Sequence, residues 1–527
     1  MNEIMAARFE LEVPLAEKNV LSEMSDDYTL PDYMPPIKRV ISVDASVSPP
    51  ESYVSPSGCE LGGNMRYRLL YEGGEDGGVW CIELPAEYET AISLDGEVPD
   101  SEKCHCRAVA VAETPTVRVV APRRVNIRSR VRIRAAVSCN EEIECACRGE
   151  SVADGDVRCL EGTASAMQTL CGKSEAIALS DSFDVGSGSD SEQLRVICCR
   201  GEVMITSAEA RRSGVVCGGE LQLKILLCRE GEGERPYAVT RKIPVSGEAT
   251  YLSEPREGAE LVGACGWGTL ASCSATVADG HLVCEAEVVL CAEAQAKYPF
   301  TYLRDVYALS NVSETSARRV QTRRPIGCIN GNVSIGGTLA VDGVRLDGGM
   351  KICDVRGVAS PDVSFDFVGS RMELSGKVRC FVITDNGSEL ASHELEIPYK
   401  YSADIGDITP DAELCPHAVV SVGACRGRID GEELAVDAEF YVAASVSEKT
   451  GVDAITEVRF GSMRRADDGS PRHAARITVC YPCAGETLWS VSKRYGVDPV
   501  RVAADNGIEA DIPDSAESLA HVGFLIV

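Results

Sequence analysis

Apolar and polar residues alternate one by one along most of this chain. Arg130, Val131, Arg132, Ile133 and Arg134 make the clearest run, and residues 65–69, 221–225 and 434–440 share its period. A period of two sends one set of side chains to a buried face and the other to water, as in a half-buried β-strand. Pairs such as Asp342-Gly343, Asn386-Gly387 and Asp430-Gly431 interrupt these runs as hairpin turns do. No sustained helical period comes before residue 485. The pattern predicts a mainly β chain.

Laid over one another, the alternating segments recur. The runs RVISVDASV (from Arg39), VICCRGEV (from Val196) and ICDVRGV (from Ile352) are each followed about thirty residues later by YRLLY, KILLC and CFVIT. Glu83-Leu84-Pro85, Lys242-Ile243-Pro244 and Glu396-Ile397-Pro398 come next in the same order. Tyr71, Cys228 and Thr384 end the middle segments at spacings of 157 and 156 residues. That period is too long for a solenoid and predicts three consecutive β-domains. The expected divisions are an N-terminal segment 1–30, repeats at 31–140, 141–310 and 311–460, a linker 461–475 and a last module 476–527. The run RRADDGSPRH at 464–473 has little apolar area to bury and reads as that linker. The acidic, Gly/Ser-rich run 181–192 reads as a flexible loop.

The last module has a different rhythm. Ile477, Thr478 and Val479 form a short strand, and Ala484-Gly485-Glu486-Thr487 a turn in which Thr487 caps the helix that follows. Leu488, Val491, Ser492 and Tyr495 share one face of that helix, which stops at Gly496. Asp498 and Pro499 open a second helix as N-cap and first residue, Asn506-Gly507 closes it, and Gly523 to Val527 returns as a strand. The predicted order is β-α-α-β.

Composition narrows the function. With 52 Lys and Arg against 81 Asp and Glu, the net charge is −29, which repels nucleic acid and anionic lipid. Stacking aromatics are absent from the arginine-rich strand at 123–134, which reads as a solvated face, or else as a docking surface for an acidic partner or a neighbouring repeat. No apolar run is long enough for a membrane span, and the first residues lack the pattern of a signal peptide, so a cytoplasmic location is expected. Many of the 24 cysteines stand where Val or Ile would serve, as in Leu226-Leu227-Cys228 and Val289-Leu290-Cys291. They are expected to be reduced thiols in the cores.

Catalytic and metal motifs are missing. The six histidines form no HExxH, there is no phosphate-binding GxxxxGK[ST] loop, and no motif pairs two carboxylates. Cys104, His105 and Cys106 are successive strand residues and cannot converge on one ion. Cys480 and Cys483 are a CxxC without a second pair. The chain is expected not to be an enzyme and to need no cofactor.

Gly485, Glu486, Thr487, Leu488, Trp489, Val491, Arg494, Tyr495, Gly496 and Asn506 make the string AGETLWSVSKRYGVDPVRVAADNGI closely resemble a LysM domain. That resemblance implies a βααβ fold and a groove for N-acetylglucosamine glycans, with Gly485, Glu486, Thr487, Asn506, Gly507 and Ile508 as contacts. The family's closing Pro-Gly-Gln-x-Leu is replaced by AHVGFLIV at 520–527, and the loop 509–518 is long and acidic. Both changes border the groove and point to a protein ligand. Lys493, Arg494 and Arg501 are local positive charges suited to an acidic partner surface. The opening PDYMPPIKRVISVDASV and the LLY…ELP continuation resemble the SPOCS domain of spore-coat proteins. Tandem SPOCS domains followed by one LysM is the layout of spore morphogenetic proteins of the basement layer. Such proteins act in the mother-cell cytoplasm at the forespore surface, where the LysM engages the spore-coat scaffold ATPase. The alternatives are a glycan-binding protein or a LysM-targeted cell-wall enzyme.

Overall fold

The structure, a computed structural model, describes residues 4–74, 78–95, 98, 100–149, 155–184, 194–229, 235–278, 280–340, 350–387, 389–431, 433–463, 477–483, 485–508, 519 and 522–527. The linker run 464–473, Asp342-Gly343, loop 509–518 and all but the start of the acidic run 181–192 lie outside the described residues.

The chain is mainly β. It begins with β1 (Ile4–Thr29), β2 (Ile37–Val47), β3 (Glu51–Ser55), β4 (Gly58–Gly73), β5 (Gly78–Ile92), β6 (Cys104–Ala112), β7 (Thr116–Ala121) and β8 (Arg124–Arg148). It continues with β9 (Val157–Lys173), β10 (Ile177–Asp184), β11 (Leu194–Ala210), β12 (Gly214–Arg229), β13 (Tyr237–Tyr251), β14 (Glu260–Ala278) and β15 (His281–Ala308). Then come β16 (Asn311–Ala340), β17 (Lys351–Ala359), β18 (Ser364–Val368), β19 (Arg371–Asp385), β20 (Leu390–Asp404), β21 (Leu414–Asp430) and β22 (Glu433–Met463). The end of the chain holds β23 (Val479–Cys480), α1 (Leu488–Tyr495), α2 (Pro499–Asn506) and β24 (Leu525–Ile526).

Two kinds of pairing organise the strands. Long antiparallel pairs join β1 to β8, β9 to β15 and β16 to β22. Between the members of each pair lies a smaller antiparallel set: β2-β4-β5, β11-β12-β13 and β17-β19-β20. The nine recurring sequence segments fall on these nine strands in that order.

The first 30 residues do not form a separate segment. β1 runs 26 residues and pairs with β8 from Ile4↔Arg148 to Thr29↔Arg124. Residues 141–148 accordingly belong with the first stretch, not the second. The sequence hides this because β1 mixes exposed glutamates such as Glu17 and Glu23 with the buried Glu12, around a register shift between Pro14 and Ala16. Its length serves two cores. Leu15, with Leu30 just past the strand's end, packs with Tyr67, Leu69, Ile127 and Ile133 in the first stretch's own core. Leu11 instead joins Ile143, Tyr298, Phe300, Val320 and Ala454, a cluster drawn from β1, β8, β15, β16 and β22.

The smaller sheets meet in a cluster of their own. Ile41, Ile197 and Cys353, each 156 residues after the last, pack there with Leu70, Leu226 and Ile383. Beside it, buried charges link the sheets. Asp354 pairs with Arg200 and with Lys224 (3.4 Å), and Asp44 pairs with Arg356 and with Arg68 (3.7 Å).

A second buried charge site ties the long strands together. Glu293 on β15 is fully buried. One carboxylate oxygen accepts from Arg107 Nη1 of β6 at 2.7 Å and from Ser445 Oγ of β22 at 2.6 Å. His417 Nδ1 of β21 lies 3.4 Å from the other. Burial opposes ionisation of Glu293, but Arg107 and His417 hold its carboxyl well below the usual carboxylate range. Burial also lowers the proton affinity of His417, with Arg107 adding to the effect and Glu293 opposing it. The unfolded chain therefore takes up a proton at this histidine near its ordinary value, about 6.5, before the folded chain does. The His417 contribution to stability is complete above that pH and declines below it. The expected result is a melting temperature that falls as the pH drops below about 6.5, with a shallower fall in His417→Gln, read by thermal unfolding as a function of pH.

The alternation read from sequence holds on β8. Val131 and Ile133 are fully buried while Arg128, Arg130 and Arg132 point outward. Two of these arginines are engaged by acids: Arg130 with Glu23 (2.9 Å), and Arg132 with both Glu113 and Asp362 at 2.7 Å. The Asp362 contact bridges the first stretch to the third. Cys104 and Cys106 share one face of β6, and His105 on the other approaches Glu12 at 3.4 Å. Among the described residues no cluster could hold a metal ion, and no helix is long and apolar enough to cross a membrane.

Candidate functional site

The last 50 or so residues fold as strand, helix, helix, strand. Val479 pairs with Ile526 and Cys480 with Leu525. Cys480, Leu488, Val491, Val502, Ala503, Leu519 and Leu525 form the core beneath them. The helix boundaries follow the local chemistry read from the sequence. Thr487 is the N-cap of α1: its hydroxyl accepts from Ser490 N at 3.1 Å, while Ser490 Oγ accepts from Thr487 N at 3.0 Å. Asp498 caps α2 by accepting from Val500 N at 2.8 Å, and Pro499 occupies the first turn. Removing the Thr487 cap is expected to cost about 1 kcal/mol. Thr487→Ala should therefore speed amide exchange across 488–495 several-fold and leave the body of the chain unchanged.

The residues expected at a ligand groove divide into three groups. Gly485, Thr487 and Lys493 line an open cleft of ≈ 430 Å³ together with Trp489 and Ser490. Gly485 has φ +84°, a left-handed conformation that disfavours any other residue there. Glu486 and Arg494 satisfy one another. The Glu486 carboxylate also accepts from Cys483 N at 2.8 Å, which fixes the turn. Asn506, Gly507 and Ile508 hold the fold. Asn506 donates to Ile526 O at 2.8 Å and accepts from Ile526 N at 2.7 Å, so its amide replaces a neighbouring strand along β24. Gly507 ends α2 at φ 64°, and Ile508 packs on the module core. Arg501 is exposed, with Asp505 3.6 Å away one turn on.

The opposite wall of the cleft comes from the long strands. Leu160 of β9 and Arg304 and Asp305 of β15 complete its lining. Asp305 accepts from the Trp489 indole Nε1 at 2.9 Å and from Lys493 Nζ at 2.5 Å. The Trp489 ring is buried and meets Tyr307 edge-on at 5.0 Å. Tyr307 donates to Val497 O at 2.7 Å, and Arg158 donates through Nε to Asp498 at 2.8 Å. The module is therefore seated on the end of β9 and β15. Lys493, expected to be free for a partner, is held by Asp305.

The sequence reading did not find Asp305. Its signal is small: Arg304 and Asp305 interrupt an apolar run whose neighbours Leu303 and Val306 are fully buried. A register shift between Leu303 and Asp305 marks a bulge there, which turns the carboxylate toward the module.

The module's other face is apolar and open to solvent. Val479 and Ile526 are register partners on the outside of β23 and β24, and Tyr481 and Phe524 flank them, 72% and 53% exposed. No protein-family model, curated protein or solved structure matches the chain.

Proposed function

We propose that this chain is a non-enzymatic assembly scaffold of the spore envelope. In this reading three tandem SPOCS-like repeats form the body and a LysM-like module forms the docking head. The scaffold works in the mother-cell cytoplasm at the forespore surface, and its head engages the spore-coat scaffold ATPase. The observation that carries the reading is the Gly485–Gly496 motif, placed in a capped strand-helix-helix-strand unit at the end of a long β body. Three successive long-strand pairs with the same internal strand order support the tandem repeats. The head keeps Arg501 and an apolar strand face in water, surfaces suited to a protein partner.

The cleft favours a second reading, a site for an N-acetylglucosamine glycan. Its floor is the Gly485–Thr487 turn, and Asp305, Ser490 and Lys493 supply polar groups to sugar hydroxyls. Because β15 closes one side, the cleft admits a short glycan end more readily than a continuous strand. Sedimentation with insoluble peptidoglycan separates the readings. The scaffold reading expects the protein to stay in the supernatant and to release no soluble muropeptide. Cosedimentation supports the glycan site, and steady muropeptide release by pure protein contradicts a non-enzymatic role.

A further inference from the structure

Twelve of the cysteines stand in couples. The thiols of Cys59 and Cys106 are within hydrogen-bonding reach of one another, as are those of Cys81 and Cys198, Cys104 and Cys139, Cys199 and Cys273, Cys265 and Cys328, and Cys380 and Cys425. All twelve are thiols in the structure. Independent geometry supports three couples. Cys104 and Cys139 are register partners on β6 and β8, and both thiols point at Asp100 O, at 3.3 and 3.6 Å. The Cys273 thiol lies 3.3 Å from Cys199 O. Gly357 is the register partner of Cys380, and a Cβ there would stand 2.8 Å from Cys425 Sγ, so the missing side chain admits the thiol.

Their placement is systematic. Cys59–Cys106 joins the β2-β4-β5 sheet to the sheet of β1, β6 and β8. Cys380–Cys425 does the same between the β17-β19-β20 sheet and the sheet of β16, β21 and β22. Cys199–Cys273 ties β11 to β14. Cys81–Cys198 crosses from the first stretch to the second, and Cys265–Cys328 from the second to the third. Cys104–Cys139 joins neighbouring strands of one sheet, but the other five couples span such crossings, where core filling alone does not require thiols to meet. Cys145 shows the ordinary use, buried in an apolar cluster with Leu11 and Ile143.

We propose that these six couples are disulfide-forming sites, through which a peroxide-class oxidant staples the β body into one covalently braced unit. In each couple one thiolate attacks a peroxide oxygen, giving a sulfenic acid and, after protonation, water. The second sulfur then displaces that hydroxyl as a second water and closes the S–S bond. Two thiols lose two electrons and two protons, and one hydrogen peroxide becomes two waters. The guanidiniums of Arg200 and Arg68 lie near Cys198 and favour its thiolate.

The test treats the native full chain with hydrogen peroxide, blocks remaining thiols with an alkylating agent and maps the unreduced peptides by mass spectrometry. The expected result is the loss of twelve thiols, two from each couple, with the six named linkages and with Cys145 and Cys415 still alkylated. The double variant Cys81→Ser, Cys265→Ser should fold with its thiols reduced and lose only eight. Linkages scattered among other cysteines, oxidation confined to single sulfinic acids, or twelve thiols lost from the double variant would overturn the proposal.

Discussion

Replacing Glu293 by alanine is expected to destabilise the chain by about 3–5 kcal/mol, the usual cost of removing one partner from a buried ion pair. The substitution leaves the Arg107 guanidinium without its carboxylate in a place where water cannot take over. Ser445 loses its acceptor and His417 its charged neighbour. Because Arg107, Glu293, His417 and Ser445 come from β6, β15, β21 and β22, the loss falls on the junction of the three stretches rather than on one of them. Urea unfolding should show a lower midpoint and, where the stretches separate before they melt, a second transition. Ser445→Ala removes one hydrogen bond to the charged carboxylate and should cost less, about 1.5–3 kcal/mol, because the Arg107–Glu293 pair stays in place. Equal effects from the two substitutions would mean that the charge pair is not what holds the junction.

The second large effect is expected at the seat of the module. Asp305→Ala takes the acceptor from the buried Trp489 indole N–H and the counter-charge from Lys493. Hydrogen bonds to a charged group contribute about 1.5–3 kcal/mol. Lys493 is partly in water, so its share is reduced by solvent screening and the indole bond carries more of the total. The module core does not include Asp305, so the module should stay folded while leaving its seat. Hydrogen exchange should rise in β15 around Tyr307 and on the exposed side of α1, with Val491 and Val502 still protected. Unchanged exchange at Tyr307 would show that the Arg158–Asp498 and Tyr307–Val497 contacts hold the module by themselves.

Much of this molecule is written locally and some of it is not. Strand character was legible because one wet face makes Arg130 to Arg134 alternate. The helix limits were legible because Thr487, Asp498, Gly496 and Gly507 act on neighbours within a turn. Within the candidate site, Gly485 and Thr487 stand on the cleft as the motif implies. Asn506, by contrast, is spent on the backbone of Ile526, a contact 20 residues away that a motif cannot reveal. Asp305 meets Trp489 across 184 residues, and spacing carries no information about such a pair. The same limit applies to the cysteines: their Val-like positions were readable, but their couples depend on which sheets face each other. β1 was missed for another reason. Its 26 residues set the buried Glu12 among exposed acids and shift register between Pro14 and Ala16, so no single period runs along it.

The central claim is that the C-terminal module is the docking head. Its most direct test is co-purification of the spore-coat scaffold ATPase with the full chain and with a chain lacking residues 476–527. The account predicts that the full chain retains the ATPase and that the truncated chain, folded through its β body, loses it. Equal retention by the truncated chain would place the docking surface in the repeats and contradict the claim.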